Sequence, residues 1–346
     1  MKALMLRFFL LFSLILPFAT QAADISGQQP NIGIDTKGII RMVYGDGEKI
    51  YCQTSSNNGA LFSDPVLVGE IKQMHLGHTR GPQIASSKNY TVVTAIDKDG
   101  TVHSYKLNHQ NNKWVKVSTV NDSEGSAVEG LMALTADKED NFYAVWLDVR
   151  SDKKNNIFFS SINGKSSGWA KNLMVYKSPD GHVCECCKPN ISFNNNRLVI
   201  GFRNWLMGSR DIYYAVSTNK GKTFSDPKKS GTGTWRLNAC PMDGGGLVVS
   251  ESGSISAAWR RGSDVYFAAV NKKEQKVGSG RDVSMAQNKG VTMVTWQEKS
   301  KIKVLNINNE STLEIGEGMS PKIYILSNGK AICVWEDDKT VRYKLI

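Results

Sequence analysis

The sequence predicts an all-β protein that forms a single β-propeller of four-stranded antiparallel blades. Three observations support this prediction. Helical periodicity is nearly absent, and short alternating polar and apolar runs, punctuated by Gly, Asn, Asp and Ser, fill the chain. The length of 346 residues suits one propeller better than two sandwiches. A two-strand unit also recurs along the chain, and we count seven copies.

The chain begins with a predicted secretory signal. Lys2 and Arg7 flank the start of an apolar run over residues 8–18, and small residues follow it. A positive start, a short apolar core and a small-residue cleavage site are typical of a signal peptide, and the run is too short to span a bilayer. We therefore expect residues 1–22 to be removed, residues 23–346 to form one propeller domain, and the protein to be periplasmic or secreted.

The charge of the mature chain narrows the class of partner. The formal net charge is +11, and removal of residues 1–22 takes away two positive charges and no acidic ones, which leaves 11 − 2 = +9. Because no arginine-rich or aromatic-interleaved basic face is present, we expect no nucleic-acid binding. Attraction to acidic glycans is compatible with this charge. No later stretch is long and apolar enough for a membrane span, and we expect a monomer.

Each repeat unit begins with a small or apolar strand, and its second strand ends in an apolar run. The first strands of the units begin near Pro30, Pro82, Gly130, Pro189, Gly245, Ser284 and Pro321. The last unit has only three strands before Ile346, so we expect the segment from Ala23 to Gln29 to supply the missing edge strand and close the ring. Seven blades are favoured, and six is the alternative because the second and sixth units are faint.

A turn motif appears twice in the chain. After an alternating strand from Asp211 to Val216, polar, glycine and aromatic residues follow at Ser217, Asn219, Gly221, Thr223 and Phe224. A weaker copy runs from Ser55 to Phe62. An Asn that caps its own turn, followed by Gly with a positive φ, predicts a tight hairpin.

This motif resembles the Asp-box (BNR) repeat, S-x-D-x-G-x-T-W, of the sialidase-like β-propellers. Asn219 stands in place of the Asp and Phe224 in place of the Trp. The resemblance implies that the motif lies in the hairpin between the third and fourth strands of a blade, on the non-functional face. The opposite face, which we call the top face, then collects the loops between second and third strands and the loops between blades.

Polar and sulfur-bearing residues from successive blades are predicted to meet at the top face. The loops between blades supply His75, His78, Arg80, Glu129, His182, Cys184, Cys186, Cys187, Cys240 and Asp243, and the loops after second strands supply Asp148, Arg150, Arg203, Asn204 and Arg260. Convergence of such groups near the axis is what a ligand pocket on a propeller needs.

The cysteines carry a strong local signal. Four of the six lie in two adjacent loops, and an exported protein lives in an oxidising compartment, so a disulfide from Cys240 to Cys184, Cys186 or Cys187 is favoured. The alternative is a thiolate site for copper or zinc, completed by His75, His78 or His182. Cys52 and Cys333 lie in predicted strands and are expected to be buried.

The resemblance to sialidases implies roles for the arginines and carboxylates. Sialidases hold the carboxylate of sialic acid with three arginines, and Arg80, Arg150, Arg203 and Arg260 are candidates for such a cluster. Asp148, Glu129 and Asp243 are then the candidate catalytic carboxylates, one of which would act as the acid. The Phe/Tyr-Arg-Ile-Pro motif of sialidases is absent.

Three functions stay open at this point. The favoured one is an exported propeller that binds, or acts on, an anionic or glycan ligand at a top face lined by Cys and Arg. The first alternative is a true exo-sialidase, a glycoside hydrolase. The second is a periplasmic metal-binding or thiol-redox protein, which rests on the cysteines alone.

Overall fold

The computed structural model describes residues 25–346, and these residues form a ring of seven four-stranded antiparallel sheets. The prediction of an all-β propeller with seven blades is therefore confirmed, and the six-blade alternative is wrong. The predicted signal peptide, residues 1–22, lies outside the described residues and stays a prediction. Among the described residues, no helix is long and apolar enough to cross a membrane.

The strands follow one another in chain order from the inside of each blade to its outside. The chain opens with β1 (Ile25–Ser26). Blade 1 contains β2 (Gln28–Ile34), β3 (Ile40–Asp46), β4 (Lys49–Ser55) and β5 (Val66–Glu70). Blade 2 contains β6 (Gln83–Ser86), β7 (Tyr90–Ile96), β8 (Val102–Asn108) and β9 (Lys113–Lys116). Blade 3 contains β10 (Met132–Ala136), β11 (Asn141–Asp148), β12 (Asn156–Asn163) and β13 (Leu173–Tyr176).

The second half of the ring repeats the same order. Blade 4 contains β14 (Asn190–Asn194), β15 (Arg197–Leu206), β16 (Ser209–Ser217) and β17 (Lys228–Lys229). Blade 5 contains β18 (Gly246–Val249), β19 (Ile255–Arg261), β20 (Asp264–Ala269) and β21 (Gln275–Ser279). Blade 6 contains β22 (Arg281–Asn288), β23 (Val291–Glu298), β24 (Lys301–Asn306) and β25 (Ser311–Glu317). Blade 7 contains β26 (Met319–Ile325), β27 (Ala331–Asp337) and β28 (Thr340–Leu345).

The first strand of the chain closes the ring. In β1, Ile25 pairs with Val341 and Ser26 with Thr340 of β28, so β1 is the outer strand of blade 7. This pairing confirms the predicted edge strand before Gln29. It ties the first and last blades together and covers an edge that would otherwise be open to association.

The hydrophobic core lies between blades rather than within them. Between blades 3 and 4, for example, Tyr143 stacks on Phe159 and Phe193 beside the buried Phe202. The second strand of each blade is buried on both faces, because its side chains pack alternately against the blade before and the blade after. A continuous apolar layer therefore runs around the ring.

The two Asp-box-like turns have the same hydrogen-bonding pattern. In each, the Ser hydroxyl contacts the Asn side chain two residues later, at 2.9 Å for Ser217 and 2.8 Å for Ser55, and accepts the N–H of the following Gly. Asn219 Oδ1 also accepts the N–H of Thr223 at 3.0 Å. Phe224 packs edge-on against Phe159 of the preceding blade. These turns therefore fix a hairpin and seal the junction between blades.

Candidate functional site

The inner strands surround a central channel with a volume of about 970 Å³. Its wall takes residues from all seven blades, and polar side chains line both of its ends. The polar residues at or next to this channel mouth are Asn31, Gln83, Lys188, Asp243, Asp282, Ser320, Lys322 and Tyr324. A concave site with convergent polar groups is the usual form of a small-molecule or glycan pocket.

A bulge shared by three consecutive blades places part of this mouth. Blades 6, 7 and 1 each begin with a Gly at φ between +141° and +156°, followed two residues later by a non-Gly residue at φ +53° to +57°. Those residues are Asp282, Ser320 and Gln29, and each bulge shifts the register of the inner strand. Bulges of this kind redirect side chains.

The three bulge residues leave polar atoms without protein partners. Asp282 Oδ2, Ser320 Oγ and Gln29 Oε1 are all buried and make no hydrogen bond. Buried polar groups are nearly always hydrogen-bonded in folded proteins, so three such atoms at one place need an explanation. A polar ligand or ordered water supplies one.

Two lysines face the same channel without a carboxylate partner. Lys188 Nζ donates to Gln83 Oε1 at 2.7 Å, and Lys322 Nζ donates to Pro30 O at 3.1 Å. In the part of the chain that the structure describes, neither ammonium forms an ion pair. Burial lowers the pKa of Lys188 to about 8. Burial also lowers the pKa of Lys322, and the charge of Lys188 lowers it further, while Glu336 opposes the shift.

A loop from blade 1 to blade 2 arches over the mouth and reaches blade 6. His78 Nε2 lies 2.7 Å from Asp282 Oδ1 and 2.9 Å from Arg281 Nη2. One ring nitrogen cannot donate and accept at once, so the shorter contact indicates that Nε2–H donates to Asp282. His78 Nδ1 is then a buried acceptor without a partner. His78 and Asp282 thus join opposite sides of the mouth.

The structure brings two of the predicted cluster arginines together, because Arg203 and Arg260 both lie over the ring of Trp235. Arg203 is 1% exposed and donates to three backbone carbonyls, of Asp243, Arg210 and Arg260, at 2.8, 2.7 and 3.1 Å. Arg150 is held by Asp148 and Asp122 and lies over the ring of Phe158. These guanidinium groups hold loops together, and their binding of a ligand stays a prediction.

The remaining candidate ligand-binding residues also make hydrogen bonds to protein groups. Arg260 donates to Gly262 O at 2.7 Å and lies over Trp235. Asn204 is fully buried and donates to the hydroxyl of Tyr176. Arg80 alone stays next to the mouth, where it donates to Glu129 O at 2.6 Å and to His78 O at 3.3 Å.

The predicted catalytic carboxylates are occupied by protein groups. Both oxygens of Asp148 accept hydrogen bonds, from Arg150, Trp146 and Ser126, and the residue is fully buried. Asp243 accepts the N–H of Gly245 and of Asp282, and burial raises its pKa although Arg203 opposes the shift.

Glu129 differs from the other two carboxylates because its side chain is 31% exposed. It pairs with Arg80 at 3.6 Å. Glu129 is thus the most accessible of the three carboxylates, and a catalytic role for any of them stays a prediction.

The cysteines form a compact cluster beside the channel. A disulfide joins Cys186 to Cys240, one of the predicted pairings. Cys184 and Cys187 are buried free thiols whose sulfurs lie 3.2 Å apart. Arg210 Nη1 donates to Cys184 Sγ at 2.9 Å.

The surroundings of the two free thiols shift their pKa values in opposite directions. The hydrogen bond with Cys187, together with the charges of Arg210 and Arg203, lowers the pKa of Cys184 to about 7. Burial raises the pKa of Cys187. The surroundings therefore favour the thiolate at Cys184 and the protonated thiol at Cys187.

The predicted histidine ligands lie away from these sulfurs. Three sulfurs, of Cys184, Cys186 and Cys187, are close enough together to hold a metal ion, and no histidine joins this group among residues 25–346. His75 Nε2 bonds Val128 O, and burial lowers its pKa. His182 Nδ1 lies 2.9 Å from Val183 O and its ring stacks on Trp205.

Comparison with known proteins gives the fold a context. No protein-family model and no curated protein matches the chain. Among solved structures, an ulvan lyase of polysaccharide lyase family PL25 has a TM-score of 0.57 at 10% identity, over 94% of this chain and 94% of that one. The Hadza microbial sialidase Hz136 has a TM-score of 0.53 at 9% identity, over 92% of this chain and 65% of that one.

The chain has a seven-bladed β-propeller fold, and these likenesses agree with it. The lectin SapL1, whose structure was solved with α-methyl fucoside, matches it as well, with a TM-score of 0.53 at 12% identity over 85% of this chain and 97% of that one. At such low identity these likenesses show the fold alone. The propeller of this chain carries its own set of polar residues at the mouth.

Several residues of the mouth were missed by sequence reasoning. Gln29, Asp282, Ser320, Lys188 and Lys322 were not singled out, because each sits at the start of an inner strand that was interpreted as structural. A signal was present, since Gly27, Gly280 and Gly318 each precede a polar residue by two positions. Comparing the first residues of all seven units would have found it.

Proposed function

We propose that this propeller is an exported protein that binds an acidic glycan in the mouth of its central channel. The observation that carries the proposal is the pair Lys188 and Lys322, two channel-lining lysines that have no carboxylate partner among residues 25–346. A carboxylate or sulfate between them would supply the missing counter-charge and form charge-assisted hydrogen bonds.

The bulge residues suit the hydroxyl groups of a sugar. Asp282 Oδ2 and Gln29 Oε1 are free acceptors, and Ser320 Oγ can donate or accept. These atoms come from three adjacent blades, and two of the residues, Asp282 and Ser320, line the channel. Sugar hydroxyls satisfy such groups better than an apolar ligand does.

The solved neighbours support a saccharide as the class of ligand. The ulvan lyase was solved bound to a saccharide that contains GlcA and Rha3S, and SapL1 was solved with a methyl fucoside. The positive net charge and the channel lysines favour an acidic saccharide over a neutral one.

Export is part of the same proposal. The first 22 residues have the pattern of a signal peptide, and the disulfide between Cys186 and Cys240 suits an oxidising compartment. The true sialidase has less support, because Arg150, Arg203 and Asp148 are bound to protein groups.

A binding screen with matched lysine variants tests the proposal. The mature protein is applied to an array of uronate-, sialate- and sulfate-bearing oligosaccharides together with neutral counterparts. We expect acidic oligosaccharides to bind and Lys322→Gln to weaken them about tenfold or more, as loss of a charge-assisted bond does. The exposed Lys344→Gln, which removes the same charge on an outer surface, should bind like the wild type.

Two outcomes would overturn the proposal. Equal binding of neutral and acidic oligosaccharides would show that the lysines do not recognise the negative charge of the ligand. Unchanged affinity in Lys322→Gln, with a folded variant, would move the site away from the channel. Release of a fluorophore from a sialoside by the wild type would favour the sialidase alternative instead.

A further inference from the structure

We propose that the four clustered cysteines form a thiol–disulfide relay, which transfers a disulfide between the surface pair Cys186–Cys240 and the buried pair Cys184–Cys187. The relay is a property of the loops before blades 4 and 5 and does not depend on glycan binding. It rests on the juxtaposition of a disulfide and a free dithiol in one cluster.

The sulfur positions allow exchange without a large movement. Cys184 Sγ lies 3.8 Å from Cys186 Sγ, and Cys187 Sγ lies 3.9 Å from it. The two free sulfurs are 3.2 Å from each other. Each sulfur of the dithiol is therefore in contact with the disulfide sulfur that it would attack.

The surroundings of Cys184 suit a nucleophile better than a metal ligand. Arg210 Nη1 donates to Cys184 Sγ at 2.9 Å, and Arg203 adds a second positive charge nearby. A guanidinium stabilises a thiolate, whereas it repels a metal cation from the same sulfur. Glu185 pairs with Arg210 from the rim at 3.4 Å and keeps the guanidinium in place.

The buried pair Cys184–Cys187 and the outer cysteine Cys240 differ in solvent exposure. Cys184 and Cys187 are 0% and 1% exposed, and Cys186 is 7% exposed. Cys240 is exposed. The thiolate released at Cys240 can thus attack a disulfide outside the protein, which forms a mixed disulfide at Cys240 and releases a thiolate from the attacked disulfide, while the buried pair stores the transferred disulfide.

The exchange proceeds in two balanced steps. The Cys184 thiolate attacks Cys186 Sγ, a Cys184–Cys186 bond forms, and the electron pair of the broken Cys186–Cys240 bond leaves on Cys240 as a thiolate. Cys187 then loses its proton to solvent and attacks Cys184 Sγ, which forms Cys184–Cys187 and releases Cys186 as a thiolate. One released thiolate takes up a proton. Each step breaks one disulfide bond and forms one, so the number of disulfides is unchanged and no external oxidant is needed.

Alkylation of the native protein tests the relay. Mature protein purified without reductant is treated with a maleimide reagent, and labels are located by tryptic mapping, since Cys240 lies alone in the peptide from Leu237 to Arg260. We expect one label on Cys240 in the wild type. In Cys184→Ser the labelling should be about tenfold slower or more, because the remaining thiol is mostly protonated.

Controls separate the relay from simple exposure or misfolding. Cys333→Ser removes a buried thiol of blade 7 and should label like the wild type. Cys186→Ser frees Cys240 permanently and should label at once. In labelled wild type, the peptide from Ser178 to Arg197 should carry an internal disulfide, which keeps the test valid if Cys184→Ser does not fold.

Three results would contradict the relay. Equal labelling of Cys240 in the wild type and in folded Cys184→Ser would overturn the relay. So would an unlabelled wild type beside a labelled Cys186→Ser, because the disulfide would then be static. A labelled wild type whose Ser178 to Arg197 peptide has only free thiols would also contradict it.

Discussion

Lys188 shows how burial of one side chain can set the pH range of binding. Its pKa falls to about 8 because the channel removes water from the ammonium. The energetic cost of keeping this charge is offset when an anion binds beside it. Under the proposed function, the protonation states of Lys188 and Lys322 together therefore set how strongly the mouth attracts an acidic ligand.

We expect anion affinity to decline as the pH rises through about 8. Below this pH Lys188 is charged, and above it the residue loses its proton and its attraction for an anion. Titration calorimetry with one acidic oligosaccharide from about pH 6.5 to about pH 9.5 would measure this. Lys188→Met should bind more weakly and show a flatter profile, and an equally steep profile in that variant would assign the pH dependence to another group.

Asp148 illustrates the opposite case, a buried carboxylate with a structural task. Breaking a buried ion pair by removing one partner costs about 3–5 kcal/mol. Asp148→Ala should therefore lower the free energy of unfolding by about this amount, measured by denaturant unfolding. Asp152→Asn, at an exposed pair with Lys177, should change stability little. A stable Asp148→Ala variant would show that the Arg150 network is dispensable.

At the scale of elements, the hairpin turns and the strand bulges have separate tasks. The two Asp-box-like turns, of blades 1 and 4, lie on one face and pack against the preceding blade. The bulges of blades 6, 7 and 1 lie at the opposite ends of the inner strands and leave polar atoms without a partner among the described residues. Blade 1, which has both features, therefore has one end that contributes to stability and another that contributes to the candidate site.

A pair of glycine substitutions measures how tightly the turn is packed. Gly221 and Gly290 both have positive φ, at +83° and +75°, so Ala at either costs about 1–2 kcal/mol from backbone strain. A Cβ on Gly221 would also lie 2.3 Å from Phe159 Cζ, whereas nothing lies within 4 Å at Gly290. Gly221→Ala should therefore be more destabilising by thermal and denaturant unfolding. An equal loss of stability in the two variants would mean that the packing between blades 3 and 4 rearranges easily to accept the added methyl group.

The sequence predicted elements well because the signals for elements are local. Alternation, turn glycines and the three-strand last unit are visible within short windows, and they led to seven blades and to closure by β1. The site depends instead on which atoms remain free after folding. Arg203 and Asp148 look like functional residues in the sequence, but the folded chain supplies partners for both.

At the scale of the whole molecule, the ring brings together residues that are far apart in sequence. His78 and Asp282 are separated by 204 positions and meet at 2.7 Å across the mouth. The lysines come from blades 4 and 7, and the free polar atoms come from blades 6, 7 and 1. Closure of the ring is what holds these groups in one geometry, so ring stability and binding are expected to be coupled.

A crystal structure with a bound acidic oligosaccharide, chosen from the array, is the most direct test of the proposed binding site. The account predicts its carboxylate or sulfate between Lys188 and Lys322, with sugar hydroxyls on Asp282, Ser320 or Gln29. An oligosaccharide that binds on the outer strands, or on the face of the Asp-box-like turns while the channel holds only water, would contradict it.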